Sequence, residues 1–140
     1  MRIRESLTFF LIPFLLFAAA CNRTEDFIIV RDAEKGISVD IKDLIEKKPV
    51  FYKAEFKGSA FEFFVIKING EPKAFLNRCR KCYNSGLGFR FDDTHVQCRA
   101  CNESFPIEEI AHGVGSCYPI SLNSRVEGEK ITVKLEPLSR

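Results

Sequence analysis

The sequence predicts a small, mainly β protein with a single antiparallel β-sandwich. Its 140 residues leave room for one domain. Several segments alternate apolar and polar residues or are dense in aromatic and β-branched residues, as strands are. Fourteen residues are Phe and none is Trp, so phenylalanine must supply much of the core. The only helix we predict is a short one over residues 41–47, which Pro49 ends.

Residues 1–20 have the layout of a secretory signal peptide. Arg2 and Arg4 give a positively charged start, and residues 7–20 are apolar apart from Thr8. This apolar run is short for a membrane span, and it ends in three alanines directly before Cys21. We therefore expect residues 1–20 to be removed on export. The alternatives are a plain signal peptide with an ordinary Cys near its cleavage site, or an uncleaved anchor.

The position of Cys21 resembles the lipobox of bacterial lipoproteins, in which the cysteine becomes the acylated first residue. The match departs at Ala18, where Leu is usual. The resemblance implies a lipid on Cys21 and a location in the bacterial cell envelope, membrane-anchored and facing the periplasm or the exterior. We expect residues 21–26 to form a tether and residues 27–140 to form the domain.

The charge balance argues against nucleic-acid binding and against a membrane anchor based mainly on charge. The net charge is +2, without the basic excess that nucleic-acid binding requires. Removing Arg2, Arg4 and Glu5 with the signal peptide leaves 19 basic and 18 acidic residues, a net charge of +1. This balance argues against charge as the main membrane anchor.

The strands that we predict follow in chain order. Asn69-Gly70 is a strong signal for a two-residue hairpin turn, and residues 125–130 are predicted to form another turn. The predicted strands cover residues 38–41, 50–56, 61–68, 74–76, 95–97, 104–107 and 131–135.

Four cysteines have the spacing of a metal site. They form Cys79-x2-Cys82 and Cys98-x2-Cys101, separated by fifteen residues. A two-residue spacing lets both thiolates of a pair turn toward one ion, and two such loops complete a tetrahedral zinc site or the four corners of an iron–sulfur cluster. In an exported protein the alternative is disulfide bonding. Closing so short a loop gains little, which favours the metal.

The residues around these cysteines suit the metal as well. Arg78, Arg80, Lys81 and Arg99 flank the cysteines, where cations would offset the negative charge of four thiolates, or would form a solvated basic surface.

The sequence shows no Ser/His/Asp arrangement and no paired carboxylates. This argues against a hydrolase. If the four thiolates hold an iron–sulfur cluster, the protein is expected to be an electron carrier more than an enzyme. A structural zinc module that binds a protein partner remains the alternative.

The order of these elements resembles the Rieske iron–sulfur domain, with each cysteine pair at a hairpin tip and a closing strand. Cys82 and Cys101 stand where that domain has histidines, which implies all-thiolate ligation and a lower reduction potential.

A more specific resemblance is to the FtrD-like family of membrane-associated iron–sulfur proteins. Five blocks in order resemble the family: Cys79-Arg-Lys-Cys82-Tyr83, Gly86-x-Gly88-Phe89, Cys98-Arg-Ala-Cys101, Phe105-Pro106-Ile107 and Gly115-Ser116-Cys117-Tyr118-Pro119-Ile120. The family usually reads Gly-Gly-Cys-Asn-Pro in the last block, where this chain has Ser116 and Tyr118. The resemblance implies a cluster on Cys79, Cys82, Cys98 and Cys101. It also implies electron transfer beside a ferrous-iron permease.

The role of Cys117 stays open among three alternatives. It could be a fifth ligand or an exchanging thiol, it could pair with one of the four cysteines, or it could be a buried structural residue. We expect it to lie near the site and outside the set of four ligands.

Overall fold

The computed structural model describes residues 25–136. The predicted signal peptide and Cys21 lie outside the described residues. Within them the chain forms strands and three single 3-10 turns, Ile41–Asp43, Tyr83–Ser85 and Ile107–Glu109. Between residues 25 and 136 no helix has the length and apolar character needed to cross a membrane. The prediction of a mainly β protein is confirmed.

The strands form three sheets. In chain order they are β1 (Phe27–Val30), β2 (Ile37–Asp40), β3 (Val50–Phe56), β4 (Ser59–Ile68), β5 (Glu71–Cys79), β6 (Phe89–Phe91), β7 (His95–Cys98), β8 (Ser104–Pro106), β9 (Pro119–Ser121), β10 (Asn123–Glu127) and β11 (Lys130–Lys134). A five-stranded sheet has the order β1-β3-β4-β5-β9, and two smaller sheets have the orders β10-β11-β2 and β6-β7-β8. Every pair is antiparallel except β1 with β3.

The five-stranded sheet is buried on both faces. Successive side chains of a strand point to opposite faces, so Phe63 and Val65 of β4 pack in one core while Phe64 and Ile66 pack in another. The first core also contains the buried residues of β2 and β11, and the second contains those of β6, β7 and β8. The two small sheets therefore cover opposite faces of the large one.

The predicted hairpin turn at Asn69-Gly70 is confirmed. Both residues have positive φ, 54° for Asn69 and 80° for Gly70, as a type I′ turn requires. The carboxylate of Glu46 accepts hydrogen bonds from both backbone N–H groups, at 2.5 Å and 3.2 Å. These bonds fix the turn that starts β5 and hence the strand that ends at the first cysteine.

The predicted helix over residues 41–47 is wrong. Only the 3-10 turn Ile41–Asp43 forms, and Leu44 after it is extended. The backbone N–H of Lys47 instead bonds to the carbonyl of Lys67, and Glu46 binds the β4–β5 turn. A segment this short cannot offset the cost of helix nucleation when tertiary hydrogen bonds compete for its backbone.

The predicted turn over residues 125–130 is shorter than expected. β10 continues to Glu127, which pairs with Lys130 at the start of β11. Only Gly128 and Glu129 turn, and Gly128 has φ of 60°. The charged residues of this segment lie on an exposed strand, so their sequence lacks the apolar alternation that marks half-buried strands.

Candidate metal centre

Both predicted cysteine pairs lie where a strand ends. Cys79 is the last residue of β5, and Cys82 follows in the turn before Tyr83–Ser85. Cys98 ends β7, and Cys101 lies in the turn between β7 and β8. The second pair is therefore at a hairpin tip, as predicted. The first pair instead connects two sheets, because β5 pairs with β4 and β9 while β6 pairs with β7.

The structure brings the four predicted ligands and Cys117 into one cluster. The Sγ atoms of Cys79, Cys82 and Cys98 lie within 4.8 Å of one another. Those of Cys98, Cys101 and Cys117 do the same, so Cys98 belongs to both groups. All five are free thiols. Four thiolates around zinc lie about 3.8 Å apart, given Zn–S bonds of about 2.3 Å. The donor set and its spacing fit a thiolate-bound metal.

Cys117 lies between the two predicted pairs. Its Sγ is 3.3 Å from that of Cys79 and 3.3 Å from that of Cys101. The register of β5 and β9 sets this position, because Cys79 pairs with Pro119 and the N–H of Arg80 donates to the carbonyl of Tyr118 at 3.0 Å. Cys117 is fully buried. Cys117 is thus part of the thiol cluster and lies against one cysteine of each pair.

Two of the thiols have lowered pKa values. Burial raises the pKa of Cys79, but hydrogen bonds from backbone N–H groups, first that of Cys82, outweigh burial and leave its pKa below the ordinary value. For Cys101 burial again raises the pKa, and the N–H of Glu103 together with the neighbouring thiols reverses the effect. Each pair therefore contains one thiol whose surroundings favour the thiolate, the form that binds metal.

The other three thiols have raised pKa values. Burial and the adjacent Cys101 raise the pKa of Cys82 to about 12. Burial also raises the pKa of Cys98 and, further still, that of Cys117. Without a cation in the cluster, ionising a second and third thiol places like charges together. A bound metal ion would supply the positive charge that offsets this repulsion.

Asn77 supports the loop that carries the first pair. It is 3% exposed, and its Oδ1 accepts a hydrogen bond of 3.0 Å from the N–H of Phe89. Gly88 lies against the same amide, since a Cβ at Gly88 would be 2.5 Å from both Nδ2 and Oδ1. This contact joins the start of the loop to its end and fixes the path of the chain through Cys82.

We expect Gly88→Ala to destabilise the protein by roughly 1–3 kcal/mol more than Gly58→Ala. Both glycines have positive φ, 68° and 73°, so both substitutions strain the backbone. Only a Cβ at Gly88 meets a buried side chain, and nothing lies within 4 Å of a Cβ at Gly58. Urea denaturation of both variants measures the difference. Equal losses of stability would mean that the Asn77 contact does not hold the loop.

The second cysteine loop is bonded to the first. The N–H of Arg99 donates to the carbonyl of Gly88 at 3.0 Å. Within the second loop the N–H of Cys98 bonds to the carbonyl of Glu103 at 3.0 Å, and the N–H of Asn102 bonds to the carbonyl of Cys98 at 2.9 Å. These backbone bonds hold the two cysteine turns next to each other.

The cluster has a buried side and a side near solvent. Cys79, Cys98 and Cys117 are buried, and Cys82 and Cys101 are half-buried. Arg80 and Lys81, between the first two cysteines, are exposed. Arg78 lies over the ring of Tyr83, with its guanidinium carbon 5.9 Å from the ring centroid.

Two residues that support the cysteine turns were not predicted from the sequence. Asn77 stands inside a strand, where nothing local distinguishes a buried amide from an exposed one. Glu25 forms an ion pair with Arg99 across the chain. A carboxylate in a polar tether carries no sequence signal for such a partner. The Gly-x-Gly spacing at Gly86 and Gly88 was the one available clue to a tightly packed loop.

The comparison with protein families agrees with this site. A family model described as "Membrane iron-sulfur containing protein FtrD-like" matches residues 44–140. No curated protein sequence matches the chain. Among solved structures, the chain is similar to the ferredoxin of carbazole 1,9a-dioxygenase from Nocardioides aromaticivorans IC177, with a TM-score of 0.45 and 18% identity. That similarity covers 70% of this chain and 94% of the ferredoxin.

Proposed function

The chain belongs to the FtrD-like family of membrane iron–sulfur proteins, and from this we propose that it is a lipid-anchored electron carrier that serves iron uptake. Family membership and the cysteine cluster make it a metal-binding, iron–sulfur protein. The electron-transfer role, the iron-uptake partner and the anchor are the proposed part. The FtrD-like resemblance supports the first two, and the sequence around Cys21 supports the third.

The observation that carries the proposal is the cluster of free thiols drawn from two turns. We assign the cluster ligands to Cys79, Cys82, Cys98 and Cys101, because each C-x2-C turn presents two thiols toward the other turn. Cys117 approaches from a third segment and touches one cysteine of each turn. We place it beside the ligands and outside their set.

The chain's own residues create an environment suited to electron transfer. When bound, an iron–sulfur cluster supplies a one-electron redox couple. The aromatic core of β4 and β6 encloses the buried cysteines on one side. Cys82 and Cys101 lie on the half-buried side, which is the side from which a redox partner could approach. Arg80 and Lys81, between the cysteines of the first turn, are exposed.

We expect Cys21→Ser to release the protein from membranes into the soluble fraction. The substitution removes the thiol to which the lipid would be attached, and no helix within residues 25–136 can replace the anchor. Fractionation of cells that produce each form, with an antibody against the domain, measures the change. A variant that stays with the membranes would require a different anchor.

The iron-uptake role is tested with Cys82→Ser, which removes a half-buried ligand and leaves the buried thiols in place. We expect cells that produce this variant to accumulate less labelled ferrous iron than cells that produce the unaltered protein at equal abundance. Gly58→Ala is the matched control, because Gly58 lies in an exposed turn far from the cysteines in sequence and nothing lies within 4 Å of a Cβ at this position. Equal iron uptake by cells that produce Cys82→Ser would contradict a role in iron transport. It would not contradict the assignment of the cluster as a metal site.

A structural zinc site is the second candidate, because the spacing and the all-thiolate donor set suit zinc as well. In that case the domain would bind a protein partner without redox function. Metal analysis separates the two candidates, as described in the Discussion.

A further inference from the structure

We propose that the end of the domain that carries the cysteine cluster rests on an anionic phospholipid surface. The inference depends on the lipid anchor at Cys21 proposed above, and it adds the orientation of the domain. The contact surface consists of the two cysteine turns and the segment before Cys117.

An ion pair joins Glu25 of the tether to the second cysteine turn. The carboxylate of Glu25 pairs with Nη2 of Arg99, the residue directly after Cys98. The side chains are 19% and 31% exposed, so the pair is largely withdrawn from water. Nε of Arg99 also donates to the carbonyl of Phe89 at 3.4 Å. Glu25 is thus held beside the cluster and not at the far end of the domain.

The short length of chain between that ion pair and the lipid limits the distance between them. Glu25 is four residues after Cys21. A fully extended chain of four residues spans at most about 14 Å, which bounds the distance between their Cα atoms. An acylated Cys21 lies at the membrane interface. The second cysteine turn therefore cannot lie far from the lipid headgroups.

Apolar side chains around the cluster are exposed. Tyr83, directly after Cys82, is 41% exposed, Leu87 in the same loop is 56% exposed, and Val114 is 45% exposed. Val114 and Cys117 exchange backbone hydrogen bonds of 3.2 Å and 2.8 Å, which places this valine at the cluster. Exposed tyrosine and aliphatic side chains suit the region between lipid headgroups and acyl chains.

The segment around the first cysteine turn is positively charged. From residue 77 to residue 91 the chain has four cations, Arg78, Arg80, Lys81 and Arg90, and no carboxylate. Within residues 25–136 no carboxylate forms a salt bridge with Arg78, Arg80 or Lys81. Such cations near an anionic leaflet are attracted to its headgroups. An acidic protein could also bind them, but the tether brings this surface to the bilayer first.

The test exploits the absence of Trp from the chain. Tyr83→Trp places a donor fluorophore at the cluster. Val126→Trp places one on β10, in the small sheet on the opposite face of the large sheet, where Val126 is 51% exposed. Each mature, metal-loaded variant, acylated at Cys21, is inserted into phosphatidylglycerol-containing vesicles with or without a dansyl-labelled headgroup lipid. Comparing the two vesicle types for the same variant corrects for quenching by the metal centre.

We expect energy transfer to the dansyl lipid to be several-fold greater from Tyr83→Trp than from Val126→Trp. Adding Arg80→Glu and Lys81→Glu to Tyr83→Trp should reduce the transfer, while Arg125→Glu with Lys134→Glu, the same charge change on β10 and β11, should not. Metal content and melting temperature are checked for every variant.

The outcomes separate the orientation from the anchor. Equal transfer from both positions, with both variants still sedimenting with vesicles, would overturn the orientation and leave the anchor in place. Failure of every variant to sediment would overturn both. Unchanged transfer after Arg80→Glu and Lys81→Glu would overturn lipid contact by these cations.

Discussion

Replacing Cys98 with serine is expected to abolish metal binding and to lower the free energy of unfolding by several kcal/mol. Cys98 belongs to both three-thiol groups and is 1% exposed, so its replacement removes a buried thiol from each group. A serine hydroxyl does not ionise at neutral pH as a thiol can, and it would be buried among thiols. In small metal-binding domains the free energy of metal binding is part of the free energy of folding.

Metal content per chain and the melting temperature measure this effect, with and without a chelator. Cys117→Ser is the matched control, because it makes the same change at another buried thiol of the cluster. We expect Cys117→Ser to retain the metal and to change the reactivity of the remaining thiols. Loss of metal in both variants would show that Cys117 is a ligand and that the set of four is wrong. An unchanged melt for Cys98→Ser would indicate that metal does not support the fold.

Replacing Phe64 with alanine is expected to destabilise the protein by roughly 3–5 kcal/mol. Phe64 has no solvent exposure and lies in the core that contains Cys79, Cys98 and Cys117. Its ring centroid is 5.5 Å from that of Phe51, 5.6 Å from that of Phe75 and 5.2 Å from that of Phe91. Removing the ring leaves a cavity at the junction of the large sheet and the sheet of β6–β8.

Urea denaturation measures the loss, and Phe61→Ala in the same strand is the control. Phe61 is half-buried and packs at the periphery of the other core, so its truncation should cost less. Equal losses for the two variants would contradict the placement of the main aromatic core beside the cysteines.

The local features of the fold were predictable because they depend on adjacent residues. Strands β3 and β4 follow from alternation and aromatic density, and the turn at Asn69-Gly70 follows from the preference of these two residues for positive φ. The C-x2-C spacing likewise brings two thiols together within one turn. These predictions needed no knowledge of which strand pairs with which.

The non-local features could not be predicted in the same way. The contact of Cys79 with Cys117 joins residues 38 apart and depends on the register of β5 with β9. The ion pair of Arg99 with Glu25 spans 74 residues. The segment 41–47 was predicted to be helical because its sequence does not reveal that Glu46 binds the distant β4–β5 turn. In each case the deciding interaction is tertiary.

The central claim is that this cysteine cluster holds an iron–sulfur centre, and an absorption spectrum of the anaerobically purified protein tests it most directly. The spectrum is recorded before and after dithionite and is combined with analysis of iron, inorganic sulfide and zinc. We expect broad visible absorption that bleaches on reduction, iron and sulfide in the unaltered protein, and the loss of all three signals in Cys98→Ser. A colourless protein that contains one zinc per chain and no sulfide would contradict the claim.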